Sequence, residues 1–302
     1  MGTTIEKLTK VLQTKEAIRT AINNKGGTLT ESDTFSSYST AIDNIQTGSG
    51  DNPMQEYVNN NGGDGKPSCE YLFSHYKGTS LDSVLNGLDT SNVADMSSMF
   101  YDCSKLTTIP QLDTSNVTNM ANMFYYCSSL TTIPLLNTSK VTSMNSMFYS
   151  CSSLTTIPAL DTSKVTNMSN TFKYCSSLKS ISQWNTDKVT NMSAMFAGCN
   201  RLKKIDITKL VSGSSYNLEF ASDCCSLKTL IIRTMDKIPS LGSTSFNNCY
   251  HFYGITDATY NPEGLKDGAI YVPDDKVEAL KVATNWSTFA DIIKPLSEYV
   301  EE

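Results

Sequence analysis

The chain runs to 302 residues, 39% hydrophobic and 18% charged, a balance that excludes both an unfolded polar chain and a membrane-embedded one. No apolar run reaches the roughly 18 residues of a membrane-crossing helix, so membrane insertion is not expected. Net charge is −6, and residues 88–199 balance six lysines against six aspartates without a basic stripe, so nucleic acid is not an expected partner.

The first predicted elements are helices. Residues 3–22 place Ile5, Leu8, Val11/Leu12, Ile18 and Ile22 on one stripe, which Gly26-Gly27 ends. A second helix carries Phe35, Tyr38, Ile42 and Ile45. The resulting hairpin, residues 1–46, has little core of its own. It is therefore expected to attach or oligomerise through Ile5, Leu8, Leu12, Ile18, Phe35, Tyr38 and Ile42, a homo-trimer being one arrangement, or to fold back over the first repeat. Residues 47–67, with "QTGSGDNP" and "NNNGGDGKP", read as a flexible linker.

The body of the chain, residues 68–268, is repetitive. Cys103, Cys127, Cys151, Cys175 and Cys199 mark a unit of 24 residues without insertion, giving regular coils over 88–199. Looser coils over 200–268 keep a phenylalanine shortly before Cys224-Cys225 and before Cys249. Val117, Met120, Met123/Phe124 and Cys127 share one face of a predicted short helix, preceded by a capping Asx residue at Asp89, Asp113, Asn137, Asp161 or Asn185. After the cysteine, "SSLTTIP" predicts a strand of about four residues that proline ends. A lone helix–strand unit cannot bury its apolar face, so the expected fold is α/β, a parallel-sheet solenoid of helix–strand coils. The Met96/120/144/168/192 and Phe100/124/148/172/196 columns are expected core.

Regular cysteines without nearby histidine admit three readings: a metal site, disulfides, or packing. One per coil makes a line rather than a tetrahedron, and parallel side chains cannot all pair, so free thiols packed as small hydrophobes fit best. Cys224-Cys225 is read as one inward and one outward residue. Residues 269–302 read as a closing cap: a strand at 269–272, a helix opened by Asp274-Asp275 with Val277, Leu280 and Val282, then Trp286, Phe289 and Ile292/Ile293 over the last coil. The two histidines, His75 and His251, stand beside no nucleophile, so catalysis, a cofactor and a metal are not expected.

The unit "DTSNVTNMANMFYYCSSL" resembles the BspA-type leucine-rich repeat of bacterial surface proteins, and "YVPDDKVEALKVATNW" resembles that family's closing segment. The resemblance implies a leucine-rich-repeat solenoid and adhesion to host proteins or glycans without catalysis; it assigns no binding residue. The segment "LTKVLQTKEAIRTAINNKGGTLTESDTFSSYSTAIDNI" is similar to helical modules at the start of phage tail and head-fibre proteins. The opening "MGTTIEKLTK" lacks the basic start and apolar run of a secretory signal. Together these imply a virion appendage: the hairpin would bind other virion proteins, and the solenoid would face a host-surface glycan or protein. The alternatives are a bacterial cell-surface adhesin and a purely structural virion decoration. Two columns are candidate contacts. Tyr101, Tyr125 and Tyr149 offer rings to a glycan, and Lys140, Lys164 and Lys188 offer charge to an anionic polymer. The simpler reading is that tyrosine covers gaps and lysine keeps the coil soluble.

Overall fold

The computed structural model describes residues 16, 18–20, 22–23, 55, 58–59, 67–85, 88–210, 219–255, 259, 261, 263–264 and 266–301. The expected leucine-rich-repeat solenoid of helix–strand coils is not what forms. From residue 67 onward the described residues hold three short α-helices, α1 (Asp82–Leu85), α2 (Tyr250–Tyr253) and α3 (Val277–Lys281). They hold four strands, β1 (Lys204–Ile207), β2 (Thr229–Ile232), β3 (Ala269–Val272) and β4 (Ile293–Pro295), which make one small parallel sheet in the order β1-β2-β3-β4. Residues 88–199 contain neither a helix nor a regular strand.

The predicted helix is replaced by chained turns. Met123, Tyr125 and Cys127 donate their N–H groups three residues back, to Met120, Asn122 and Phe124. The alternate donors Met120, Asn122, Phe124 and Tyr126 reach forward instead, to the carbonyls of Ser143, Asn145, Met147 and Tyr149 in the following unit, at 2.8–3.1 Å. A helix would direct every N–H four residues back, leaving none for a neighbour. Two left-handed residues per unit impose the alternation: Asn122 at φ 57° and Tyr126 at φ 59°, matched by Ser98/Asp102, Ser146/Ser150 and Asn170/Tyr174. Asn and Asp tolerate that region; a bulky residue is held there against roughly 1–2 kcal/mol. Turns of three to four residues keep nearly the helical spacing, so Val117, Met120, Met123, Phe124 and Cys127 still all point inward, fully buried.

The Asx residues act as expected in kind but not in place. Asp113 Oδ1 accepts from the Ser115 N–H at 2.9 Å, and Asp89, Asn137, Asp161 and Asn185 repeat the bond. This is an Asx turn rather than a helix cap. Beside it runs a buried threonine ladder: the Thr114 hydroxyl donates to the Asn137 carbonyl at 3.0 Å and accepts from the Asn137 N–H at 2.8 Å.

The "LTTIP" line is extended but makes one backbone bond per unit, as in Thr131 to Thr107 at 3.4 Å. Aligned on the cysteines, Pro134 occupies the place of Asp206 in β1, the third residue of that strand. Proline has no N–H to give a ladder, which fits the units of Pro110, Pro134 and Pro158; the Cys175 unit, with Ser182 at that place, stays out of the sheet as well. Farther on, β1 and β2 pair over Lys204↔Thr229 to Ile207↔Ile232. Asp206, 5% exposed, is held by both nitrogen arms of Arg233 at 2.8 and 2.6 Å.

One apolar core runs the length of the structure, with Phe73, Phe100, Phe124, Phe148, Phe172 and Phe196 stacked in parallel at 5.5–5.9 Å. Thr171, which stands where the aligned units carry Met99, Met123, Met147 and Met195, bonds the carbonyls of Met144 and Met168. Toward the C-terminus Val277, Leu280, Trp286, Phe289, Ile292 and Ile293 are buried, whereas Val282 is 81% exposed and takes no part in the core. Ile5, Leu8, Leu12, Phe35, Tyr38 and Ile42 lie outside the described residues. Ile18 is described, and it is buried with Ile22 and Val58 in the same core as the repeats.

Candidate functional site

The chemistry-bearing residues sort first by burial. The nine cysteines are buried thiols rather than disulfides. Each repeat thiol donates to the carbonyl of the core phenylalanine one unit back: Cys127 to Phe100, Cys151 to Phe124, Cys175 to Phe148 and Cys199 to Phe172, at 3.0–3.1 Å. Burial drives the thiols of Cys127, Cys151, Cys175 and Cys199 well above the ordinary cysteine range, and Cys69 up to about 12. They are neutral donors rather than thiolate nucleophiles or ligands. Cys224 and Cys225, of which one was expected to face outward, are both buried. Among the described residues no group of three or more His, Cys, Asp or Glu could hold a metal ion. Nor, among them, is any helix long and apolar enough to cross a membrane.

Both histidines meet carboxylates. His75 Nδ1 lies 2.8 Å from Asp102, and His251 Nδ1 lies 2.6 Å from Asp267, which also accepts from Lys228 at 2.7 Å. Burial would raise the Asp267 carboxyl, but the bonds from Lys228 and His251 outweigh it and hold it below the usual range.

The tyrosines form the largest aromatic surface. Tyr101, Tyr125 and Tyr149 stack face to face at 4.7 and 4.6 Å, with planes within 15°. The stack therefore covers both faces of Tyr125 and one face each of Tyr101 and Tyr149. Burial first, then neighbouring phenols and Asp102, keeps these three hydroxyls protonated beyond the ordinary tyrosine range. The exposed rings are two that sequence reasoning passed over, Tyr126 and Tyr174, at 45% and 47% exposure. Both stand on left-handed residues, two units apart, and both meet Tyr149 at 5.6 Å, tilted by 54° and 89°. Their only signal in the sequence was a second aromatic directly before the cysteine. Lys173, ion-paired to Glu219 at 3.1 Å, sets its ammonium 5.4 Å from the Tyr174 ring centroid.

Lys140, Lys164 and Lys188 are all exposed at equivalent places, with Lys140 bonded to Asn116 Oδ1 at 2.6 Å. The Lys164 charge adds to the Ser163 hydrogen bonds that lower the Asp161 carboxyl. Asp113 and Asp161 in turn line an open groove of about 640 Å³ beside Leu135, which is 63% exposed. The lysine column thus runs beside acids rather than over a purely basic face.

Comparison with known proteins follows this geometry. Residues 67–156 and 154–227, together more than half of the chain, match the model of a family described as "Mycoplasma protein of unknown function, DUF285". A solved structure, a leucine rich cell surface protein from Faecalibacterium prausnitzii A2-165, is similar at 16% identity over 76% of this chain and 81% of that one, with a TM-score of 0.23. Curated proteins include no match.

Proposed function

The chain belongs to the family described as "Mycoplasma protein of unknown function, DUF285", and from that premise we propose that it is a non-enzymatic adhesive protein displayed on a bacterial cell surface. The observation that carries this reading is the continuous tyrosine surface from Tyr101 to Tyr174, built on a stack that every unit braces through its backbone. Exposed aromatic rings on a rigid, repetitive frame suit recognition, because little ordering entropy opposes contact. The groups that could do chemistry are placed otherwise: the thiols are buried and neutral, and both histidines are tied to aspartates.

The virion reading has less behind it. Of its attachment residues only Ile18 is described, and Ile18 is in the core. The matched family does not point to a phage particle.

Beads coated with the full chain should adhere to epithelial monolayers more than albumin-coated beads do. Replacing both exposed rings, Tyr126→Ala with Tyr174→Ala, should cut bead binding by about tenfold, the loss expected for two exposed aromatic contacts. Binding no greater than that of albumin beads sinks the adhesive reading.

A further inference from the structure

The threonine ladder has a direction. Each threonine serves the unit that follows it: Thr114 donates to the Asn137 carbonyl and accepts from its N–H, and Thr186 does both for Lys209, at 2.6 and 2.8 Å. Thr90, at the start of the regular units, donates to the Asp113 carbonyl at 2.9 Å. Asp89 opens the line, and its two backbone groups are met by one side chain from far back in the sequence. The Asp89 N–H donates to Gln55 Oε1 at 2.6 Å, and Gln55 Nε2 donates to the Asp89 carbonyl at 3.0 Å. A side-chain amide carries donor and acceptor side by side, so it reproduces what the threonine hydroxyl does at later rungs.

The residues around Gln55 also close the apolar core. Gln55, Val58 and Asn59 are helical, and Gln55 Nε2 donates as well to Asn59 Oδ1 at 3.0 Å, which holds the amide toward Asp89. The Val58 carbonyl accepts from the Ser68 N–H at 3.1 Å. The Val58 side chain is fully buried in the core that holds Leu72 and Phe73, ahead of the first regular unit. Ile18 and Ile22, helical and four residues apart, are 1% and 0% exposed in the same core. A stack of units needs an atypical segment over each apolar end. The amides at this end already point inward along the stack, since Cys69, Phe73 and His75 donate to Asp95, Met99 and Tyr101. What the end requires is apolar cover and a finished ladder, and these residues supply both.

We infer that Ile18, Ile22, Gln55 and Val58 form the N-terminal cap of the stack within a single chain, with the Gln55 amide standing in for the threonine of a preceding unit. The apolar face that the sequence offers to another chain at Ile18 is thereby used in this one.

Hydrogen exchange on the full chain tests the cap. Gln55→Leu keeps a good helix former but removes both bonds to Asp89. The Asp89 amide should then exchange about tenfold faster, while the Asn137 amide, held by Thr114, keeps its rate. Val58→Ala trims the buried side chain without adding charge, and should speed exchange of the Phe73 amide by tenfold or more. Light scattering should give both variants and the unmodified chain the mass of one chain. Unchanged exchange at Asp89 in Gln55→Leu, or at Phe73 in Val58→Ala, overturns the cap. An oligomer that Val58→Ala dissociates also overturns it, because those residues would then be buried between chains.

Discussion

Residues 88–199 and residues 200–301 solve one packing problem in two ways. Both stack a phenylalanine and a cysteine per unit, and both send thiol hydrogen bonds to a preceding unit: Cys151 to Phe124 in the first region, Cys249 to Ala221 in the second. In the first, proline interrupts the extended line at Pro110, Pro134 and Pro158, the phenylalanines lie parallel, and the units are joined mainly through alternate turn amides. In the second, proline is gone from that place, a four-stranded parallel sheet forms, and the phenylalanines turn edge-on at 5.5 and 6.3 Å. The difference teaches that the inward columns do not require a sheet. They need only some set of unit-to-unit backbone bonds.

The largest expected effect tests what the regions share. Burial raises the folded-state pKa values of thiols such as Cys151, Cys199 and Cys249 far above the ordinary cysteine range. Such a group keeps its contribution below its unfolded pKa and loses it as pH rises toward the folded one. Stability should therefore hold up to about pH 9 and then fall by about 1.4 kcal/mol per pH unit for each buried thiol, enough in sum to unfold the chain near pH 10–11. Urea midpoints from pH 7 to pH 10 measure this; a flat profile would rule out the buried-thiol ladder in both regions.

Next comes a substitution meant to break the second region alone. Ile231→Pro removes an N–H from central strand β2 and should cost about 3 kcal/mol or more. Hydrogen exchange should then show lost protection over β1 to β3, with the amides of Met120, Phe124 and Phe148 unaffected. Equal loss in both regions would mean that the sheet and the chained turns unfold as one unit.

Smaller is Gly198→Ala, at φ 75° and 2.6 Å from Tyr174. It should cost about 1 kcal/mol in the denaturant midpoint. Smallest is Pro134→Val, which gives a regular unit the N–H that β1 has. Stability should change by under about 1 kcal/mol. A slowly exchanging new amide at residue 134 would show that proline alone kept the line out of the sheet.

Parts of this were legible from residue types. Phe124 and Cys127 recur in columns because each unit meets its neighbour at the same place, so their burial needed no more than the period. The "AIYV" strand was legible because its β-branched run is bounded by Gly268 and Pro273. The helix over Val117–Cys127 was misread because turns of three to four residues give nearly the same inward spacing. The contrary signal was Asn122 and the residues aligned with it, Ser98, Ser146 and Asn170, small polar types suited to a left-handed backbone. Tyr126 was missed because Tyr125 beside it kept the cleaner column, and the ring stacking that covers Tyr125 lies between units.

The amino-acid sequence by itself determined the 24-residue period, the columns that face inward, and the place where proline denies a ladder bond. These depend on side-chain volume, polarity and a missing N–H, which each residue carries wherever it stands. Tertiary structure alone decided that alternate amides bond forward to the next unit rather than back along a helix, and that Tyr126 and Tyr174 keep open faces while Tyr125 loses both. Each of those outcomes turns on a partner about one unit away in the chain, a distance at which local patterns carry no information about geometry.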